Sequence, residues 1–246
     1  MKTLNYVVMH KYVLVPIIFL FLCGRGESQA EKSSIKSENK VETRILDDSA
    51  MFLTTALELA PGARSPLKHD DLDQVIVVVS GQVSIGGRQS SAPAVLSDGE
   101  VWFSKKTLDS VISNETEAVA KIVSVGIKKH WDTEIRACSE PKKCTHPIQI
   151  GGGEIGHTTL LFTSGFITAY RHDLVSGGTL SSSYFSSRGK DYLMLLPLTN
   201  VHANFDGQDE DLQIGQAYSS EAAQVEVSAA KEPARWIMLR VEAPKP

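Results

Sequence analysis

The chain has 246 residues, of which 42% are hydrophobic and 22% are charged, so it has enough apolar material for one large domain or two small ones. Its formal net charge is -4 at pH 7. This acidic balance excludes a nucleic-acid partner, because proteins that bind DNA or RNA usually present a basic surface.

The N-terminus has the organisation of a secretory signal. Lys2 and Lys11 precede an apolar run over residues 12–23, and a short polar segment then ends at Ala30. The run is too short to span a hydrocarbon core of ~30 Å, which favours cleavage over a retained anchor. We therefore predict a signal peptide over residues 1–30, a secreted or periplasmic protein, and no stable membrane span after cleavage.

The alternative for this segment is an anchored N-terminus, either uncleaved or lipidated at Cys23. Bacterial lipoprotein signals resemble a pattern with a small residue before the cysteine, and here Leu22 stands there. After cleavage only Cys138 and Cys144 remain, in a compartment where disulfides persist. We expect these two cysteines to pair rather than to bind zinc, because five residues separate them.

Residues 31–43 are rich in Ser, Lys and Glu and are predicted to form a flexible tether. From residue 44 onward, short β-branched and aromatic runs alternate with Gly, Pro, Asp and Ser, which predicts an all-β fold. The first predicted set of strands comprises residues 51–59, 74–80, 83–85, 100–103, 110–113 and 119–127. The second set comprises residues 158–162, 166–173, 192–196, 201–205, 217–219, 224–227 and 235–241.

The two sets of strands repeat each other at a spacing of about 116 residues, which indicates an internal duplication. The matched positions are Phe52 with Phe166, Asp73 with Asp191, and Leu96 with Leu212. Each repeat contains many short strands and must close on itself, because free sheet edges are costly. The sequence therefore predicts two tandem jelly-roll barrels.

The predicted layout places the N-terminal barrel at residues 44–128 and the C-terminal barrel at residues 157–243. Residues 129–156 form the connector between them. Within it, Gly151-Gly152-Gly153 follows an apolar run without a helix or a phosphate-binding Lys, so we interpret it as a flexible hinge.

The first repeat resembles a cupin domain, whose first motif has fixed spacings between two glycines and the residues between them. The matching residues are Gly62, Lys68, His69, Asp70, Gln74 and Gly81. The segment from Gly99 to Asp109 and Asn114 resembles the second cupin motif. The resemblance implies a bicupin, that is, two tandem double-stranded β-helix barrels.

In the cupin family, two histidines, a glutamate and a later histidine bind a divalent metal, and these positions fall on Lys68, Asp70, Gln74 and Asp109. A protonated lysine has no lone pair to offer, so Lys68 would repel a metal ion. We predict no metal and no cofactor, with Lys68 paired to Asp70 or Asp109. Two alternatives stay open: a shifted register with His69 as a ligand, and calcium or magnesium bound by the oxygens of Asp70, Gln74 and Asp109.

The second repeat departs further from the motif, since its counterparts of the ligand strand are Tyr184, Ser186 and Asp191. An inward His202 beside Tyr184 would form a polar pocket, although a surface or hydrogen-bonded core histidine is more common. His172 precedes Asp173 on a predicted strand, so these two side chains point to opposite faces.

The first hypothesis for function is an exported, non-catalytic protein that binds a small polar molecule or serves as a structural module. The alternative is a metal-independent cupin enzyme, with isomerase- or epimerase-like acid–base chemistry on a small polar or sugar-like substrate. The candidate binding residues are Lys68, Asp70, Gln74, Asp109, Tyr184 and His202. A metal-dependent dioxygenase or decarboxylase conflicts with the loss of every family ligand.

Overall fold

The structure is a computed structural model with twenty strands and one short helix within the residues that it describes. It describes residues 40–67, 72–87, 93–104, 110–128, 136–138, 140–164, 167–181, 192–220 and 225–241. The first half contains β1 (Val41–Asp48), β2 (Phe52–Leu59), β3 (Arg64–Pro66), β4 (Asp73–Ser80), β5 (Val83–Gly87), β6 (Ala94–Leu96), β7 (Val101–Ser104), β8 (Ser110–Ser113) and β9 (Ala120–Ile127). The second half contains β10 (Arg136–Ala137), α1 (Pro141–Cys144), β11 (Thr145–Ile150), β12 (Gly153–Thr163), β13 (Ile167–Leu174), β14 (Thr179–Ser181), β15 (Tyr192–Pro197), β16 (Val201–Phe205), β17 (Gln208–Leu212), β18 (Tyr218–Ser220), β19 (Val225–Ser228) and β20 (Ala234–Val241).

The two halves have the same sheet topology. In the first half the strand orders are β1-β2-β9-β4-β7 and β3-β8-β5-β6, and in the second they are β12-β13-β20-β15-β18 and β14-β19-β16-β17. A β-bulge occurs at the same place in each half, at Leu46 in β1 and at Leu161 in β12. The predicted all-β fold of two jelly-roll barrels is confirmed, and the matching orders support the predicted duplication.

The strand register corrects two of the matched positions: Phe52 corresponds to Ile167 and not to Phe166, and the match at Asp73 shifts in the same way. Asp73 and the first residue of β2 both pair with the last residue of β9. Tyr192 and the first residue of β13 both pair with the last residue of β20. Asp73 therefore corresponds to Tyr192 and not to Asp191, and Gln74 corresponds to Leu193. The error of one residue matters because side chains alternate along a strand, so it exchanges the two faces of the sheet.

Three apolar cores hold the molecule together: one inside each barrel and one between the barrels. On β4, Ile76 and Val78 belong to the core of the first barrel, whereas Val75 and Val77 belong to the core between the barrels. Burial on both faces explains why this strand is a continuous apolar run in the sequence. At the contact between barrels, the rings of Phe103 and Phe162 pack edge to face with centroids 5.7 Å apart.

The contact between the barrels is reciprocal. A Cβ atom on Gly99 would lie 3.2 Å from Cδ1 of Leu198, and a Cβ atom on Gly215 would lie 3.8 Å from Cγ1 of Val79. Gly99 and Gly215 occupy equivalent turns with φ of 76° and 73°, where glycine is favoured. Each barrel thus uses the same turn to contact the same part of the other barrel, as in a symmetric dimer fused into one chain.

The segment boundaries differ from the sequence prediction. Strand β1 begins at Val41, inside the predicted tether, and β11 together with the start of β12 lies inside the predicted connector. Gly151 and Gly152, with φ of 61° and 85°, form the two-residue turn of the β11–β12 hairpin. The prediction of a flexible hinge at these glycines was wrong.

The disulfide between Cys138 and Cys144 is present, with Cα atoms 6.4 Å apart, as the sequence predicts. It joins the end of β10 to the end of α1, immediately before β11. Both β10 and β11 pair with the outer edge of β12. The bond therefore ties together the two short strands that cover this edge. Among the described residues, no helix is long and apolar enough to cross a membrane.

Replacing both cysteines with alanine is expected to lower the free energy of unfolding by about 2 kcal/mol, because the unfolded chain regains the entropy of an open seven-residue loop. Chemical denaturation of the oxidised protein and the double variant measures this difference. Equal midpoints and slopes for the two proteins would show that the cross-link has no stabilising role.

Candidate functional site

The interior wall of the first barrel changes from apolar to polar along the barrel. At one end, Val78, Ile122 and Leu57 form an apolar row across β4, β9 and β2. In the next row, Ser124 lies between Ile76 and Thr55. The row where β4 begins contains Gln74 opposite Gly126. The wall is therefore polar at the end where β4 begins.

Three polar atoms of this wall are buried and have no hydrogen-bond partner in the described parts of the chain: Oε1 of Gln74, Oγ of Ser124 and Nε1 of Trp102. Gln74 is only 3% exposed. The three residues lie on the neighbouring strands β9, β4 and β7. Gln74 is a diagonal neighbour of both Ser124 and Trp102, and diagonal neighbours in a sheet lie ~7–8 Å apart. A buried polar group without a partner costs about 1–3 kcal/mol, so three in one patch call for an explanation beyond folding.

The space beside Gln74 is shaped by a glycine. A Cβ atom on Gly126 would lie 2.9 Å from Cδ1 of Leu72 and 3.4 Å from the carbonyl oxygen of Leu53. Leu72 therefore occupies the volume above Gly126, and any side chain there would displace it. The patch thus combines hydrogen-bonding atoms with an apolar neighbour, as small-molecule sites generally do.

The second barrel does not repeat this polar patch. Leu193 and Met238 take the places of Gln74 and Ser124, and they are 2% and 0% exposed. Tyr218 takes the place of Trp102, and its hydroxyl accepts a hydrogen bond of 3.1 Å from the backbone N–H of Gln213. The polar groups at these three positions are therefore particular to the first barrel, whereas the second barrel has a buried polar atom without a partner elsewhere, Nε1 of Trp236, among the described residues.

A buried histidine lies inside the second barrel, deeper than the position of Leu193. His172 is fully buried, and its Nδ1 lies 2.9 Å from Oγ1 of Thr158. The ring of Trp236 packs against it at a centroid distance of 5.0 Å. Burial lowers the pKa of His172 to about 3, so the ring is neutral at ordinary pH. His172 is a hydrogen-bonded core residue, and the adjacent Asp173 faces the opposite side, as expected.

His202 lies on the outer face of the second barrel, because Val201 and Ala203 on the same strand point inward. Its Nδ1 is 3.1 Å from Oδ1 of Asp211, and its Nε2 is 3.4 Å from Oδ1 of Asp209. The hydrogen bond with Asp211 is the main cause that raises the pKa of His202. The side chain does not face the barrel interior, so the inward pocket considered for it is excluded.

The other predicted site residues have different outcomes. Gln74 lies on the interior wall as predicted. Lys68, Asp70, Asp109 and Tyr184 lie outside the described residues, and their predicted contacts remain predictions.

Two residues of the polar wall, Ser124 and Trp102, were missed by the sequence analysis. The signal for Ser124 was a lone serine within an apolar strand. For Trp102 no signal separated a wall residue from ordinary core packing.

Of the four residues that the cupin resemblance assigns to ligand positions, the structure describes Gln74 alone, which offers one neutral amide oxygen. The predicted absence of a metal, and the calcium or magnesium alternative with Asp70 and Asp109, therefore stay predictions. Across the described ranges, no three His, Cys, Asp or Glu side chains are grouped as a metal site requires.

Two fused jelly-roll barrels, with polar residues in the interior of one of them, define a two-barrel β protein. Its fold is similar to that of AerE from Microcystis aeruginosa, with a TM-score of 0.64 at 11% identity, covering 85% of this chain and 96% of that one. It is also similar to a cupin 2 conserved barrel domain protein from Leptotrichia buccalis, with a TM-score of 0.51 at 12% identity, covering 82% and 89% of the two chains.

A third similar structure is oxalate decarboxylase from Lactobacillus farciminis, with a TM-score of 0.59 at 9% identity, covering 84% of both chains. The chain therefore has a two-barrel fold of the cupin type. At these identities the likeness concerns the fold alone. No protein-family model and no curated protein sequence matches the chain.

Exchanging the residues at the equivalent wall positions is expected to have opposite effects. Gln74→Leu should raise the free energy of unfolding by about 1–2 kcal/mol, because it removes an unpaired buried amide. Leu193→Gln should lower it by about 3 kcal/mol, because it buries a new unpaired amide in an apolar wall. Urea unfolding at constant pH measures both. A destabilised Gln74→Leu variant would show that the amide has a structural partner.

His172 is expected to make the protein sensitive to acid. Its pKa is about 3 when folded against 6.5 when unfolded, so the stability is complete above pH 6.5 and is lost as the pH falls towards 3. Between pH 7 and pH 4.5 this loss amounts to about 3 kcal/mol. Urea unfolding at the two pH values should show that the variant His172→Gln does not have this acid-dependent loss of stability.

The surface variant His202→Gln is the matched control for this comparison. The pKa of His202 is raised, so its stabilisation is present below pH 6.5 and is lost at higher pH. Removing it should not reduce the acid loss. If His172→Gln and the wild-type protein lost stability in parallel, the buried histidine would not be the cause.

Proposed function

We propose that the protein is an exported bicupin that binds a small polar molecule inside its first barrel, without a metal ion and without catalysing a reaction. The observation that supports this proposal is the patch formed by Gln74, Ser124 and Trp102, whose buried polar atoms lack partners in the described parts of the chain. Proteins seldom keep such groups unless a ligand or water pairs with them. The apolar residues at the same places in the second barrel show that the fold does not need them.

The chemistry of the patch favours a neutral ligand with hydroxyl or amide groups. The amide oxygen of Gln74 accepts a hydrogen bond, the indole N–H of Trp102 donates one, and the hydroxyl of Ser124 can do either. A small polyol, a sugar-like compound or a compound with a primary amide satisfies all three groups.

Binding rather than catalysis is favoured because none of these three side chains changes protonation near neutral pH. General acid–base catalysis needs a group whose pKa is close to the working pH. The acid–base alternative would depend on Lys68 with Asp70 or Asp109, which lie outside the described residues.

Export is part of the proposal and is supported by two features. The N-terminal sequence has the order of a signal peptide, and the disulfide between Cys138 and Cys144 is of a kind that persists in oxidising compartments.

A thermal-shift screen of monosaccharides, polyols and small amides tests the binding. At least one compound is expected to raise the melting temperature of the wild-type protein and to have no effect on Gln74→Leu, because binding to the folded state stabilises it. Gln208→Leu is the matched control, since it makes the same change at an exposed position of β17. Equal shifts in all three proteins would place the binding elsewhere. Turnover of the bound compound, followed by NMR, would favour the enzyme alternative.

Protein purified without chelators is expected to contain no stoichiometric iron, manganese, zinc or copper, because these metals favour imidazole and thiolate donors. Emission spectrometry measures the metal content directly. About one such metal ion per chain would contradict the metal-free part of the proposal.

A further inference from the structure

The large sheets of the two halves differ at their outer edges. In the second half, β10 and β11 both pair with the outer edge of β12. In the first half, the equivalent strand β1 pairs with β2 alone, and no other strand of the described residues lies beside it. Its eight residues therefore present a row of backbone N–H and C=O groups along this edge.

The middle of β1 is accessible to a partner. Residues 42–45 are exposed, and among them Ile45 is a large apolar side chain that is 64% exposed. Two other edge strands carry features that discourage pairing, since β11 contains Pro147 and β17 contains three consecutive acidic residues at 209–211. Strand β1 contains no proline, and its charges are of both signs.

The pairing of β1 with β2 determines which backbone groups point outward. The backbone N–H of Ala60 donates a hydrogen bond of 3.1 Å to the carbonyl oxygen of Lys40. In an antiparallel pair, residues that exchange hydrogen bonds alternate with residues that do not. The register is regular as far as Ile45, so Val41, Thr43 and Ile45 direct their N–H and C=O groups away from β2.

A second copy of β1 fits these outward groups. When Thr43 lies opposite Thr43 of an antiparallel second copy, Val41 lies opposite Ile45, and outward groups meet outward groups. This pairing contains about six backbone hydrogen bonds. On the other face of the strand, Glu42 lies opposite Arg44 of the second copy, and the twofold symmetry forms this attractive pair twice. The strand is therefore complementary to itself in both backbone and charge.

The other registers of this pairing are less favourable. A centre at Glu42 or at Arg44 places like charges directly opposite each other, which destabilises a strand pair. A centre at Ile45 runs into the β-bulge at Leu46, and a centre at Val41 shortens the overlap of the two strands. The residues of β1 therefore favour the register centred on Thr43.

We propose that two copies of this chain associate through antiparallel pairing of their β1 strands, with Thr43 on the twofold axis. The two five-stranded sheets then join into one sheet of ten strands. Within one copy, Glu42 pairs with Lys40, but both side chains are exposed, so this ion pair opposes the contact with Arg44 only weakly. A contact of one strand pair is smaller than the interface of a permanent dimer, so the association is reversible.

Sedimentation equilibrium of the full mature protein tests the proposal. The wild-type protein is expected to show a reversible equilibrium between monomer and dimer at concentrations from about 1 μM to about 0.5 mM, a range that detects millimolar dissociation constants. The variants Glu42→Arg and Arg44→Glu should each weaken the dimer at least about tenfold, because each places like charges opposite each other at two points.

A mixture of these two variants tests the register itself. One variant carries two arginines at positions 42 and 44, and the other carries two glutamates, so a mixed dimer regains both attractive pairs. The mixture is therefore expected to associate at concentrations where neither variant does so alone. Glu226→Arg makes the same charge reversal at an exposed position of β19 and should dimerise as the wild type does.

Thr43→Pro tests the backbone contribution without changing the charge. Proline removes the outward N–H of Thr43 and leaves the hydrogen bonds to β2 intact, so the variant should fold and stay monomeric. Thr43→Val keeps the N–H and should dimerise. If the proline variant does not fold in urea unfolding controls, the two charge variants and their mixture still decide the question.

Three outcomes would overturn the proposal. The first is a wild-type protein that stays monomeric throughout, which would leave a segment of the same chain or another protein as the occupant of the edge. The second is a dimer that persists unchanged in Glu42→Arg and Arg44→Glu, which would place the interface elsewhere. The third is a mixture of these variants that does not associate although the wild type does.

Discussion

The packing of one barrel sheet against the other determines most of what this molecule can do. Strands β4 and β9 in one sheet and β15 and β20 in the other are buried on both faces, so neither sheet could be left in water without exposing an apolar surface. The two barrels are therefore one folding unit in physical terms, although each has its own interior. Sites in either interior are held by walls that the other barrel supports.

This arrangement allows the two interiors to differ. Apolar packing comes from the row beyond Ser124 and from the contact between the two sheets. The wall around Gln74 can therefore carry polar groups that do not stabilise the fold. In the second barrel the same positions are apolar, and its interior is instead filled by Trp236 and the neutral His172. The two halves thus share one topology with differently filled interiors.

The sequence predicted most of the strands that are apolar or β-branched, with β8 and β16 found at the same bounds, but it missed the three-residue strands β3, β6 and β14. It did not predict β11 or β17, whose residues are mostly polar and exposed and which are held by backbone pairing along a sheet edge. The whole of β1 was missed for the same reason.

The candidate site was predictable only where a spacing pattern existed, as for Gln74 between its two glycines. Ser124 belongs to the polar wall only because strand pairing brings it next to residues that are far away in sequence. The one-residue error at Asp191 has a related cause. Repeats with different loop lengths leave the register undecided, and only the hydrogen-bonded pairing fixes it.

The covalent link at Cys138 and Cys144 affects more than the stability of one turn. Strand β12 is the outermost of the five strands in the second sheet that have counterparts in the first sheet. Strands β10 and β11 cover its outer edge only while they are held beside it. An uncovered edge of this length is a template for strands from other molecules. We therefore expect reduction of the bond to uncover this edge and to favour association with other strands.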